Sequence, residues 1–279
     1  MRLPSCLFFA LEVRGRGVRR VLVEGVAPDA LALARQLAAE GDDVRLLAAE
    51  AAPGLALPVV DTVPDDVEVA YLDVWTAEVD ERVRLLRERG ARVSCLSDLL
   101  LERAAVPTIG VTGTAGKTTT ASFIAQLLRT ATPDRPVWAS TTGRSGNLWA
   151  TEESLAVLAA TSGVHVVELT SSHLAFMETS PEIAVVTCFW PDHLELHGSL
   201  AAYRAAKARI VRHQGAGDQV VVNADDPAAA SFADETPATV HLFSTRGPVE
   251  RGVGVVDGRI LAAPAGVDLG DVPDRLHGQ

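Results

Sequence analysis

Seven consecutive residues, Gly113-Thr114-Ala115-Gly116-Lys117-Thr118-Thr119, carry the strongest chemical signal in the chain. They follow the strand-like run Thr108-Ile109-Gly110-Val111-Thr112 and lead into a helix-length segment. A strand, a Gly-rich turn, a Lys-Thr pair and a helix start, in that order, form a loop suited to a nucleoside triphosphate. Glycines let backbone N–H groups turn toward phosphate oxygens, and the helix N-terminus adds favourable partial charge. The Lys117 ammonium would reach the outer phosphates, and the Thr118 hydroxyl would ligate magnesium. All seven residues are therefore candidate nucleotide contacts.

The lysines sharpen this reading. Lysine supplies only two of the 25 Lys+Arg residues, Lys117 and Lys207. Arginine is a planar fork that stays protonated, whereas lysine is a compact ammonium that can become a neutral amine and react with carbon dioxide. Lys117 is accounted for by the loop, so Lys207 marks a second place where arginine chemistry would fail. A third signal is Glu168, which interrupts the apolar run His165-Val166-Val167-Glu168-Leu169 just before Thr170-Ser171-Ser172-His173. A carboxylate followed by hydroxyls at a strand end is where α/β proteins place ligand-binding groups, so Glu168 is a metal candidate and Ser171 a substrate-side candidate. His173, His213 and His241 read as surface or packing residues.

Several of these segments resemble one family. The spacing Gly113-Thr114-Ala115-Gly116-Lys117-Thr118 resembles the short G-T-x-G-K-[ST] loop of Mur ligases and folylpolyglutamate synthases, which activate a carboxylate with ATP. Trp190-Pro191-Asp192-His193 followed by Tyr203-Arg204-Ala205-Ala206-Lys207 is similar to the Mur-ligase pairing of D-H with Y-x-x-x-K on the next helix. Glu168-Leu169-Thr170-Ser171-Ser172 resembles the E-[LT]-S-S segment of the D-glutamate-adding branch, and Ser145-Gly146-Asn147-Leu148 the G-N-I-G loop. The resemblance implies a carbamoylated Lys207, with His193, Glu168 and Thr118 as further magnesium ligands. It implies Lys117, Lys207 and His193 as catalytic residues, and Asn147 near substrate and metal. ATP and Mg2+ are the implied cofactors. Asn223-Ala224-Asp225-Asp226-Pro227 matches the family's N-A-D-D run, but a turn closing a strand explains it equally well, and it receives no catalytic role.

The implied reaction is amide formation through an acyl phosphate, in peptidoglycan precursor synthesis. Two departures qualify it. The family's nucleotide-sugar loop is Gly-rich, whereas the chain has Gly25-Val26-Ala27-Pro28-Asp29-Ala30, so the carboxylate substrate is UDP-sugar-linked or of another kind. Leu276-His277-Gly278-Gln279 resembles the start of the linker to a third, amino-acid-binding domain, so the expectation is either a fragment of a longer enzyme or a separate subunit that supplies that domain. A P-loop small-molecule kinase and a nucleotide-binding subunit that works only with a partner are the alternatives.

Elements must hold these residues in place. Val18–Val26, Val44–Ala48, Val67–Leu72 and Ala91–Cys95 read as strands, with helices over Asp29–Glu40, capped by Asp29, and Ala77–Arg89. Cys6–Leu11 reads as a further buried strand. A second set starts after Pro107: strands at 108–113, 165–169, 183–189 and 219–223, with helices at Lys117–Arg129 and Leu200–His213. Val253–Leu261, with Asp257-Gly258 at its centre, reads as a hairpin. The expected fold is α/β: a small Rossmann-like N-terminal domain over 1–105, then a P-loop NTPase-type central domain with a mainly parallel sheet over 106–279.

Composition bounds the partners. A chain of 279 residues with 48% hydrophobic and 22% charged residues is ordered and globular. Its net charge of -11 argues against nucleic acid or an anionic membrane as a partner, since both require a basic surface. No run approaches the roughly 18 apolar residues of a membrane span. Cys6, Cys95 and Cys188 stand at unrelated spacings, as reduced thiols of a cytoplasmic protein do.

Overall fold

The computed structural model describes residues 17–49, 56–73, 75–140 and 155–272, and it holds two sheets. The expected strand at 6–11, Asn147 and the segment 276–279 lie outside the described residues. The first sheet is built by β1 (Arg20–Glu24), α1 (Pro28–Ala39), β2 (Asp43–Leu47), β3 (Val59–Val60), β4 (Val69–Tyr71), α2 (Glu81–Glu88) and β5 (Arg92–Ser94). Its strands are all parallel in the order β3-β2-β1-β4-β5. Helix α3 (Leu96–Arg103) separates it from the second sheet.

The second sheet starts with β6 (Thr108–Thr112), α4 (Lys117–Ala131), β7 (Val137–Ser140), β8 (Val164–Glu168) and the short α5 (Ser171–Leu174). It continues with β9 (Ile183–Val186), α6 (Leu194–His197), α7 (Leu200–Arg212), β10 (Gln219–Asn223), α8 (Pro227–Ala230) and β11 (Thr239–Ser244). Strands β12 (Gly252–Val256), β13 (Arg259–Ala263) and β14 (Val267–Asp271) complete it. The order is β14-β13-β12-β11-β10-β9-β6-β8-β7, parallel from β7 to β12 and antiparallel beyond. Central β6 and β8 are buried at every position, as expected of parallel strands covered on both faces.

Helices are cut where local chemistry permits. Asp29 does not cap α1: Pro28 opens the helix, and Ala27 at the cap position makes no side-chain hydrogen bond. Proline is pre-set for a first helical position and lacks the N–H that would need a partner there. Ala30, Leu33, Ala34 and Leu37 form the buried stripe of α1, and each leucine contributes about 2 kcal/mol by leaving water. Helix α2 starts at Glu81, not at residue 77, because the Asp80 side chain accepts the Arg82 N–H at 2.8 Å. The hairpin forms as expected, with Asp257 (φ 50°) and Gly258 (φ 77°) making its two-residue turn. Helices α3, α5, α6 and α8 and strands β3, β7, β11 and β14 are additional to the sequence reading.

A single apolar cluster runs from Leu22, Val83 and Leu86 in the first unit to Val167, Phe176 and Ile210 in the second. Asp98, fully buried on α3, also ties the units. It accepts the backbone N–H groups of Glu178 and Thr179, both at 3.0 Å, and is held by Ser94 and Arg92.

Candidate active site

The chain leaves β6 toward β7 and β8 on one side, and leaves β9 toward β10 and β11 on the other. The carboxyl ends of β6 and β9 therefore flank the crevice of a topological switch point, where open α/β sheets bind ligands. Helix α4 follows β6 and helix α7 follows β9, so each brings one of the two lysines.

The loop between β6 and α4 turns at Gly113 (φ 151°) and at Gly116 (φ 81°), which caps α4. A Cβ on Gly113 would overlap the Thr187 hydroxyl at the end of β9, so the position demands glycine for space as well as backbone angle. The first turn of α4 holds no acidic residue, which leaves its N–H groups and dipole open to an anion. Ala115, Gly116 and Thr119 are exposed along this rim.

Both lysines converge on one carbonyl. Lys117 Nζ donates to the oxygens of Gly113 and Thr114, each at 3.1 Å. Lys207 Nζ donates to the same Gly113 oxygen at 2.9 Å and approaches Thr112 Oγ1 at 3.4 Å. Lys207 is 1% exposed, so it is an interior group and not a solvated lysine of a surface helix. Burial, reinforced by the neighbouring Lys117 ammonium, pulls its pKa down to about 7.

Glu168, the last residue of β8, pairs in register with Val111 and so ends beside the loop. It is 1% exposed, and Thr118 Oγ1 donates to its Oε1 at 3.0 Å. A buried carboxylate next to a hydroxyl at the loop end fits magnesium, which takes few protein oxygens and fills its shell with phosphate and water. Among the described residues no three His, Cys, Asp or Glu side chains gather into a dedicated metal cluster.

His193 stands just before α6, in the segment that follows β9. It is exposed, has φ 48°, and its ring contacts are Asp192 at 3.5 Å and Glu195 at 3.4 Å. Ser171 is the buried first residue of α5, three residues after Glu168. Thr114 faces inward: its N–H goes to Cys188 O at 3.0 Å, and its hydroxyl donates to Trp190 O at 3.1 Å. That hydroxyl is 3.1 Å from Tyr203 OH, whose proton is the one left to bridge them. Thr114 therefore anchors the loop, and the outward face belongs to Ala115 through Thr119.

Residues given no site role in the sequence reading do this anchoring. Tyr203 stacks on Phe189 at 5.4 Å, and Asp226 accepts the Phe189 N–H at 2.7 Å while capping α8. Asn223 Nδ2 donates to Thr187 O at 2.9 Å. The Asn223–Asp226 run thus fixes the segment 187–189 on which the loop leans. Cys188 Sγ contacts Ala115 N and O, both at 3.3 Å. The sequence signals for this layer were the N-A-D-D run and the tyrosine of the Y-x-x-x-K match.

The comparisons with known proteins agree with this architecture. The profile of the Mur ligase middle domain matches residues 111–254. The chain belongs to the Mur ligase family. A UDP-N-acetylmuramoylalanine--D-glutamate ligase of Symbiobacterium thermophilum is 39% identical over 164 residues, covering 59% of this chain and 34% of that protein. The enzyme of the same name from Pelotomaculum thermopropionicum is 31% identical over 261 residues, covering 88% of this chain and 56% of that protein. This Mur ligase chain thus spans between about a third and just over half of the length of those relatives. The fold is shared with a UDP-N-acetylmuramate:L-alanyl-gamma-D-glutamyl-meso-diaminopimelate ligase from Neisseria meningitides, at 18% identity and a TM-score of 0.55, covering 94% of this chain and 89% of that one.

Proposed function

We propose that the chain is the nucleotide-binding and carboxylate-activating part of an ATP-dependent amide-forming ligase of peptidoglycan precursor synthesis. In this reading residues 1–105 and 106–279 are two domains, working in the cytoplasm. The observation that carries it is the meeting of Lys117 and buried Lys207 on the Gly113 carbonyl, beside the Thr118–Glu168 pair. A kinase needs the first lysine only, and nothing in generic P-loop chemistry calls for a second amine sealed inside the fold.

In the proposed reaction Lys117 and the first-turn N–H groups of α4 hold the outer phosphates and offset the charge that develops as the terminal phosphoryl group passes to a substrate carboxylate. Thr118 and Glu168 would hold magnesium, with His193 and a Lys207 carbamate at a second position. Magnesium supplies charge neutralisation between phosphate oxygens when bound. Ser171 and Asn147 are assigned to the substrate side. Displacement of phosphate from the acyl phosphate by an amine would then form the amide. The amine-binding part is assigned to a further domain or a separate subunit.

The experiment is nucleotide binding followed by phosphate release. Calorimetry with ATP at millimolar magnesium is expected to show one site, and Lys117→Met is expected to weaken it at least about 100-fold, a loss of roughly 2.7 kcal/mol. With a carboxylate substrate, Lys207→Ala is expected to lose phosphate release and regain part of it with added short-chain carboxylates. Full activity of Lys207→Ala without additive would leave the kinase reading standing instead.

A further inference from the structure

A loop that receives phosphate must turn N–H groups outward, and two of those between β6 and α4 face inward. The Thr114 N–H donates to Cys188 O at 3.0 Å, and the Ala115 N–H to Cys188 Sγ at 3.3 Å. Among the described residues nothing accepts from the Gly116 N–H, the last one before α4. Gly116 is exposed, and its φ of 81° turns the chain into the helix. The direction of its N–H is set by the peptide plane that it shares with the Ala115 carbonyl.

That carbonyl is held by Thr187, the residue after β9. The Ala115–Gly116 peptide is trans, so its C=O and N–H point in opposite directions. Thr187 Oγ1 donates to Ala115 O at 2.6 Å; the same hydroxyl lies 3.2 Å from Thr112 O, and its one proton serves the shorter contact. The Cys188 thiol, 3.3 Å from Ala115 O, is a weak donor by comparison. Thr187 is fixed in turn through its main chain: its N–H donates to Thr112 O at 2.9 Å, and its carbonyl accepts from Asn223 Nδ2 at 2.9 Å. The hydroxyl reaches the loop because residue 113 has no side chain; a Cβ there would overlap Thr187 Oγ1.

Lys117 cannot take over this task. Its ammonium holds the Gly113 and Thr114 carbonyls, but it must give them up to reach a phosphate oxygen. The Thr187 contact has no second use and persists when the lysine turns away. A donor fixed in advance carries no ordering cost when the anion arrives.

We propose that Thr187 is a positioning residue of the phosphate loop: by holding the Ala115 carbonyl against the end of β9, it keeps the Gly116 N–H aimed outward as a donor to a triphosphate oxygen. The inference rests on the nucleotide reading of this loop and deepens it. The aim of the loop's outward donor is set by a side chain 72 positions beyond Ala115, on the neighbouring strand's exit.

The probe is inorganic tripolyphosphate at millimolar magnesium, which addresses the loop without base or ribose. It is titrated into the full chain while the amide signals of Gly116, Lys117 and Thr119 are followed by NMR. In the unaltered chain the Gly116 proton is expected to move downfield and saturate. Thr187→Ala is expected to weaken binding about tenfold and to shrink the Gly116 shift at saturation, while the Lys117 and Thr119 shifts persist. Thr187→Ser, which keeps the hydroxyl, is expected to restore both; a loss of packing alone would act on all three signals together. The strand contacts of Thr187 are made by main-chain atoms, so neither substitution removes them. A Gly116 proton that stays in place in the unaltered chain while Lys117 or Thr119 moves would overturn the proposal, whether or not the variants fold. So would undiminished binding by Thr187→Ala, or a Thr187→Ser variant as weak as Thr187→Ala. If no loop amide answers to tripolyphosphate or to ATP, the nucleotide reading itself fails, and the proposal with it.

Discussion

Lys207 is defined by what surrounds its amine. At 1% exposure and with Lys117 on the same carbonyl, it holds its proton only up to a pH of about 7. Below that pH the ammonium has no lone pair for carbon dioxide; above it the neutral amine can form an N–C bond and release a proton. Protein equilibrated with 13C-bicarbonate should therefore show a lysine carbamate resonance that grows from about pH 6 to about pH 8 and is absent in Lys207→Met. Lys117→Met removes the neighbouring ammonium that helps to depress the pKa, so the same rise should move to higher pH. A resonance indifferent to pH would count against this account.

Among the elements, α3 carries the residue that ties the two units, and it was not visible in the sequence. Asp98→Ala would remove the acceptor of the Glu178 and Thr179 backbone N–H groups and of the buried Ser94 hydroxyl, costing about 1–3 kcal/mol. Urea unfolding should show a lower midpoint, and a change under about 1 kcal/mol would remove Asp98 as the clasp. Helix α3 was illegible because Leu96-Ser97-Asp98-Leu99-Leu100-Leu101 has no capping side chain before it and no polar face, and its purpose lies on another unit. By contrast β6, the loop and α4 were legible, because Gly113 and Gly116 answer to local backbone angles and the helix starts directly at Lys117. Lys207 stood out through the rarity of lysine in an arginine-rich chain. Tyr203, Thr187 and Asp226 support the loop through contacts with residues 37 to 89 positions away, which no local pattern encodes.

At the scale of the molecule, two buried histidines set the acid limit of the fold. Burial holds both His165 and His173 near a pKa of about 4. The unfolded chain takes up these protons near 6.5 and the folded chain does not, so stability is full above about pH 6.5 and falls toward pH 4, by up to roughly 3 kcal/mol per histidine. Urea midpoints at about pH 7 and about pH 4.5 should differ accordingly, and His165→Gln should flatten the dependence. An unchanged slope in that variant would assign the acid sensitivity to carboxylates instead.

The same scale gives the two amines at Gly113 another meaning. Their positive charge is a small inclusion in a chain whose formal charge is -11, so at distance a polyanion meets repulsion and feels attraction only on contact. Electrolyte should then quicken the encounter with nucleotide, the reverse of an electrostatically steered enzyme. Stopped-flow association rates that drop between about 0.01 M and about 0.15 M salt would show the opposite field. On the proposed nucleotide reading, a protein arranged in this way would admit an anionic reactant by close fit and not by long-range pull, which favours discrimination over speed.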